Sequence, residues 1–376
     1  MNPIARGNRP LTRSQHRTLI LVSVLALALR LAYLWGQARN NPLFLLPKVD
    51  AYWHQQWAEQ IASGQGMEAE PYYRAPLYYY LLGGLYWLVG PNILWGRLAG
   101  CALGALTTYL ISRLGTSLGG FRVGLLAGII SALYWPAIYF DAELLTASLE
   151  SLLGVALLLA LFRAGRGHGV LPFLGAGLIW GLACITRPNF LALAPIIVVW
   201  LVFFTPVMIS RGQRLARLVL LLIGLGLAIL PVTLRNLSVS GEPILITYTA
   251  GVNLFIGNNP ESTGISPVIP GTRRSLEGGF RDAKRIPQVE LGRPVSAQEM
   301  SNYWSDRALA WIQAEPGAWM KHMLYKVRLF FSPIALPNNQ PIWFFASMAE
   351  VSVIFWVGFP FIACLAVASF FPLRSR

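Results

Sequence analysis

Of 376 residues, 55% are hydrophobic and only 12% charged, more apolar surface than a soluble chain of this length can bury. The composition therefore points to a polytopic membrane protein and excludes a soluble globular one. The formal net charge of +14 would suit a nucleic-acid binder, but the basic residues gather at the ends of apolar runs, so no nucleic-acid partner is expected.

The first apolar run, at about 18–36, follows Arg6, Arg9, Arg13 and Arg17 and lacks a small-residue cleavage site. It reads as an uncleaved membrane helix with a cytoplasmic N-terminus. Just beyond it, Asp50 opens the segment Asp50-Ala51-Tyr52-Trp53-His54-Gln55-Gln56-Trp57-Ala58-Glu59. This predicts a helix with Trp53, Trp57, Ala58 and Ile61 on one side, suited to headgroup depth, with a carboxylate at its head. The next apolar stretch, 76–90, has fifteen residues. As a helix it reaches about 22 Å, short of a hydrocarbon core of roughly 30 Å, so it is expected to lie along the surface. Spanning-length runs follow at 93–112, 123–140, 142–162, 170–186, 190–209, 215–235 and 351–371. Cys101, Cys184 and Cys364 all fall inside such runs, which leaves no disulfide framework and no thiolate metal site.

Charge sets the topology. With 76–90 outside the membrane, the cytoplasmic pieces 1–17, 113–122, 163–169, 210–217 and 372–376 hold thirteen arginines and no acid. If 76–90 crossed, three arginine-bearing loops would move outside, against the positive-inside rule. The expectation is an all-α integral membrane protein of about eight transmembrane helices with both termini inside. Juxtamembrane surface helices occupy the first external loop, 37–92, within a transmembrane module 1–235. A large external loop or subdomain, 236–341, precedes the last span and short cytoplasmic tail, 342–376. Of the acids, Glu150 alone then lies within a span, and Glu150 and Arg30 are the ionisable groups expected inside the membrane. Gly175-Ala176-Gly177 and Gly224-Leu225-Gly226 predict close helix packing. The mixed-charge stretch Gly279 to Arg285 is expected to be exposed and mobile.

The candidate site residues gather on the outer face. Asp50 is either a helix cap or a general base, and Asp141 and Glu143 either cap the next helix or supply a second acid. His54, four residues after Asp50, could share an ion with it. Arg74 either snorkels among headgroups or meets an anion; Arg235, Lys326 and Arg187 sit at outer span ends with the same two readings. Tyr72, Tyr73 and Trp53 could stack on a sugar. Gly257-Asn258-Asn259-Pro260 reads as a tight turn, or as a loop lining a sugar or acceptor site through Asn258 and Asn259.

Several motifs in order carry a family resemblance: Asp50, Tyr52, Ala58 and Gly64; Tyr72-Tyr73-Arg74-Ala75-Pro76-Leu77-Tyr78; Tyr139-Phe140-Asp141-Ala142-Glu143-Leu144-Leu145; and Leu182-Ala183-Cys184-Ile185-Thr186-Arg187-Pro188-Asn189. They continue through Leu234-Arg235-Asn236, Gly241-Glu242, Ala250 to Pro260, Thr263-Gly264, Trp311 to Gly317 and Lys326. The chain resembles GT-C glycosyltransferases, the bacterial relatives of protein O-mannosyltransferases and of the lipid A aminoarabinose transferase. It departs from many members in having Asp50-Ala51 where they carry Asp-Glu, and in its smaller number of spans.

The resemblance implies an inverting glycosyltransferase of the bacterial inner membrane, its site facing the periplasm. The donor would be a polyprenyl-phosphate sugar and the acceptor an extracytoplasmic protein, lipid or glycan. Asp50 would be the base, with Glu143, ahead of Asp141, as second acid. Arg74, Arg235 and Lys326 would meet the donor phosphate, and a divalent metal held by Asp50 and Glu143 is allowed. A polyprenyl-linked glycan ligase or polymerase stays open, given Arg273, Arg274, Arg281 and Arg285 in the external loop. So does a transporter or flippase, which calls for paired ionisable groups within spans and inverted repeats.

Overall fold

The computed structural model describes residues 11–67, 70–205, 209–265, 268–332, 341–349 and 357–369. Regular structure there is helical; one isolated bridge joins Tyr134 and Val357. The chain divides into two compact units, one of residues 1–67, 76–230 and 337–376, the other of 68–75 and 231–336.

In the first unit, α1 (Arg13–Asn40), α4 (Ile93–Gly119), α7 (Ala147–Arg166) and α10 (Arg211–Ser240) are long and apolar enough to cross a membrane. By length and composition, these four helices are compatible with a helical membrane protein. The remaining apolar runs form shorter helices. The stretch 76–90 becomes α3 (Leu77–Val89), packed on α2 (Asp50–Ala62). Run 123–140 breaks at Tyr134 into α5 (Phe121–Leu133) and α6 (Trp135–Asp141), because Pro136 has no amide hydrogen to bond Ala132 O and its ring crowds that carbonyl, so it is tolerated only in the first turn of a new helix. Run 142–162 starts as a helix only at Ala147, since 142–146 is a turn. Run 170–186 forms α8 (Pro172–Cys184). Run 190–209 lies in a 3-10 turn that Pro188 opens (Pro188–Leu193), α9 (Ala194–Val199) with Pro195 in its first turn, and a π turn (Trp200–Phe204), while 206–208 lie outside the described residues. Of run 351–371, only 357–369 is described; it contains α16 (Phe359–Ala368), and the rest lies outside the described residues. The short α15 (Ile342–Ser347) accepts Gln37 Nε2 at Phe345 O, 2.5 Å away.

Glycines let α4 serve as the unit's axis. A Cβ on Gly100 would meet Asp141 O at 2.3 Å, one on Gly104 would meet Asp141 Oδ2 at 1.9 Å, and one on α5's Gly128 would meet Ser112 Oγ at 2.1 Å. The small-residue packing expected between α8 and α10 is present at one glycine of each motif. Cβ atoms on Gly177 and Gly224 would strike Leu221 O and Leu174 O at 2.0 and 2.2 Å, whereas Gly175 and Gly226 face open space.

The second unit has its own apolar core of Ile244, Tyr248, Val252, Ile269, Ala283, Val295, Met300 and Trp304. It is built from the end of α10, α11 (Ala250–Gly257), α12 (Leu276–Leu291), α13 (Ala297–Ala314) and α14 (Pro316–Phe330). Asn236 fixes its entry: fully buried, it accepts from Tyr72 N and donates to Ile244 O and Ile246 O. Residues 70–75, part of the first external loop in sequence, therefore belong to this unit. Glu242 accepts from Ser296 Oγ and Gln298 N, placing a carboxylate at the N-terminus of α13. The stretch 279–285 is not mobile surface but the middle of α12. Phe280 and Ala283 pack in the core, and Ala283 O accepts from Trp304 Nε1 at 2.8 Å, while Arg281 and Arg285 face out and Asp282 is buried.

Candidate functional site

Asp50 stands in the first turn of α2, where a carboxylate complements the helix dipole. It is not the cap; Val49 holds that place without a side-chain bond. Among the described residues Val49 is the one non-glycine with positive φ, at 52°. A β-branched side chain is strained there, and such strain concentrates where surrounding structure imposes a geometry. The buried side of α2 is Ala51, His54, Gln55 and Ala58, while Trp53 and Trp57 are half-exposed. His54 packs edge-on to Tyr78, ring centroids 5.0 Å apart, and to Trp57. Gln55 bridges Glu59 and the Tyr86 hydroxyl.

Asp141 and Glu143 come to the same end of the unit. Ala51, next to Asp50, and Leu144, next to Glu143, share one apolar cluster with Tyr78, Leu82 and Tyr86. Neither acid caps α7, whose N-cap is Thr146. Both are buried against arginines. Arg30 Nε lies 2.7 Å from Asp141 Oδ2, and Arg97 Nη1 lies 3.4 Å from Glu143 Oε1.

Arg97 is the residue that sequence reasoning missed. Only 3% exposed, it donates through Nη1 to Ala142 O at 2.8 Å and through Nη2 to Phe44 O at 3.1 Å, and its guanidinium lies 4.5 Å from the Phe44 ring centroid. One side chain thus ties the loop leading to Asp50 to the turn carrying Glu143. It is a further ionisable group within a predicted span. Its signal was present as an arginine inside Gly96-x-x-x-Gly100-x-x-x-Gly104, a face small enough to admit the 141–144 turn. Glu150, also expected within a span, is bonded by Thr146 and lies 3.4 Å from the exposed Arg187.

The remaining candidates lie in the second unit. The Arg235 guanidinium sits 4.2 Å from the Tyr72 ring centroid and donates to Glu70 O. That of Arg74 lies 5.9 Å from the Tyr73 centroid, and the Tyr73 ring packs on Phe280 at 4.3 Å. Lys326 donates to Gly257 O; burial lowers its pKa, and burial together with Lys326 lowers that of His322. Asn258 accepts from Trp319 Nε1 and donates to Leu254 O, while Asn259 donates to Phe255 O and accepts from Glu261 N. These bonds close the end of α11, in keeping with the tight-turn reading. Of the four loop arginines, Arg273 clamps Asp282 through two nitrogens and Arg285 approaches it at 3.9 Å.

A hard cation finds no group of three or more His, Cys, Asp or Glu among the described residues. Glu143 already meets the Arg97 guanidinium. In comparisons with known proteins, no family model, curated protein or solved structure matches the chain.

Proposed function

We propose that this chain is a membrane glycosyltransferase of the GT-C type. It moves one sugar from a polyprenyl-phosphate donor, with inversion, to an extracytoplasmic protein, lipid or glycan. The observation that carries the reading is the setting of Asp50: a carboxylate at the head of α2, entered through a strained residue, on the same apolar cluster as the Glu143 turn. In this proposal the chain crosses a bacterial inner membrane about eight times, with both termini cytoplasmic and Asp50 facing the periplasm.

The chemistry follows from the groups present. The acceptor hydroxyl or amine attacks C1 of the sugar from the face opposite the phosphate. Its proton passes to the Asp50 carboxylate as the C1–O(phosphate) bond breaks, and the electron pair leaves with the polyprenyl phosphate. Cations stabilise that departing charge, with Arg74 the first partner proposed and Arg235 and Lys326 after it. Tyr72 and Tyr73 are the proposed sugar-stacking residues. Glu143, held by Arg97, orients the acceptor. Asp141, locked to Arg30, keeps the turn against α4. The test is transfer from a panel of radiolabelled polyprenyl-phosphate sugars into membranes carrying the protein. Transfer from one of them supports the reading, and none from any sinks it.

One observation favours a second reading. Arg30–Asp141 and Arg97–Glu143 are buried ion pairs in or beside apolar helices, the feature a transporter requires. Substrate-dependent proton or lipid flux in proteoliposomes, without sugar transfer, would favour it.

A further inference from the structure

At the end of the first unit remote from Asp50, four arginines converge. Arg113 lies near the C-terminus of α4, Arg163 and Arg166 in the last turn of α7, and Arg217 in the second turn of α10. Arg166 Nη1 donates to Ser117 O at 3.1 Å, joining α7 to α4, and Arg217 Nη2 donates to Gly167 O at 2.6 Å, joining α10 to the end of α7. Arg163 and Arg113 stand close enough for their like charges to interact. The segments 113–122, 163–169 and 210–217 contain no acid, and among the described residues no carboxylate pairs with Arg113, Arg163 or Arg217.

Arg217 is the informative member. Its side chain is fully buried, 5.1 Å from the Phe173 ring centroid, yet among the described residues Nε and Nη1 have no hydrogen-bond acceptor. A buried guanidinium with idle donors and no counter-charge is costly. The α7 dipole helps Arg163 and Arg166, which sit in its last turn. Helix dipoles do the opposite for Arg217, which lies by the N-terminal ends of α8 and α10, where anions are favoured.

We infer that this arginine cluster is a binding site for the phosphate of an anionic phospholipid headgroup. The apolar stretches of α4, α7 and α10 end at this level, which puts a bilayer phosphate within reach, and basic pockets between membrane helices take such headgroups. Inorganic phosphate shares the chemistry, so the test separates the two.

The experiment uses the full chain, purified in detergent and exchanged into mixed phosphatidylcholine and phosphatidylglycerol. Retained lipid is counted by native mass spectrometry, with and without added inorganic phosphate. Wild type is expected to retain phosphatidylglycerol preferentially. Arg113→Gln/Arg163→Gln removes two partly exposed charges without disturbing the core and should weaken retention about fivefold per arginine. Arg217→Gln should weaken it at least as much. Arg122→Gln, which removes a charge outside the contacts named above, should change it little. Equal losses in Arg122→Gln and the cluster variants would mean a general positive field, and unchanged retention in the cluster variants would mean topology charges only. Displacement of the lipid by inorganic phosphate would mean a free-anion site. Each of these three results overturns the inference.

Discussion

Gly104→Ala is the sharpest test of how the acidic turn is held. The added methyl would fall 1.9 Å from Asp141 Oδ2 and 2.5 Å from Arg30 Nε, inside a pair that is 1% and 5% exposed. Either α4 moves away or the pair opens. Overpacking alone costs about 1–3 kcal/mol, and opening a buried pair about 3–5 kcal/mol. The expected loss is therefore about 3 kcal/mol or more. Gly84→Ala in α3, where a Cβ meets nothing within 4 Å, should be neutral or stabilising by roughly 0.5–1 kcal/mol. Thermal unfolding of both variants in detergent, followed by tryptophan fluorescence, compares them directly. The same logic makes Asp141→Leu alone far worse than Asp141→Leu/Arg30→Met, which replaces the whole pair by apolar groups. Gly104→Ala melting with wild type, or equal losses in the single and double variants, would show that the buried pair does not hold the turn against α4.

Further expectations concern the second unit and the α8–α10 contact. Asn236→Leu strands Tyr72 N and two carbonyls, a loss of about 3 kcal/mol or more; protease protection of residues 231–336 should fall with it. Gly224→Ala should cost about 1–3 kcal/mol in thermal unfolding while Gly226→Ala costs little, because only the first abuts Leu174 O. Hydrogen bonds from Arg273 hold the Asp282 carboxyl down to about 2. A depressed carboxyl stabilises above its unfolded pKa, about 3.9, and that contribution is lost as pH falls towards about 2. Protection from hydrogen exchange over 273–282, corrected for the intrinsic rate, should therefore fall progressively across that window, and Asp282→Asn should abolish that dependence.

Apolar runs were enough to anticipate an all-helical chain with helices long and apolar enough to cross a membrane, because spanning length follows directly from bilayer thickness. The breaks within those runs were less legible. The split at Tyr134 follows from Pro136, a signal available in the sequence, whereas the turn at 142–146 exists because α4's glycines let Asp141 approach, a contact no local pattern states. Arg97 was hidden for the same reason: its partners lie 53 and 45 positions away, at Phe44 and Ala142. The charges of 279–285 suggested loop because their density masked the helical spacing of Phe280, Ala283 and Ile286, which only a packed core makes decisive. Asp50 stands out in the sequence by its position after the first apolar run, but the strain at Val49 beside it has no sequence signature.

The central proposal rests on Asp50 taking the acceptor's proton, and Asp50→Asn tests it most directly. Asparagine keeps the size of the side chain but cannot act as a base. With expression and folding matched to wild type, sugar transfer from the polyprenyl-phosphate donor should fall on the order of a hundredfold or more. Equal transfer by the variant and wild type would contradict the account, leaving Asp50 as a favourable charge at the head of α2 and no more.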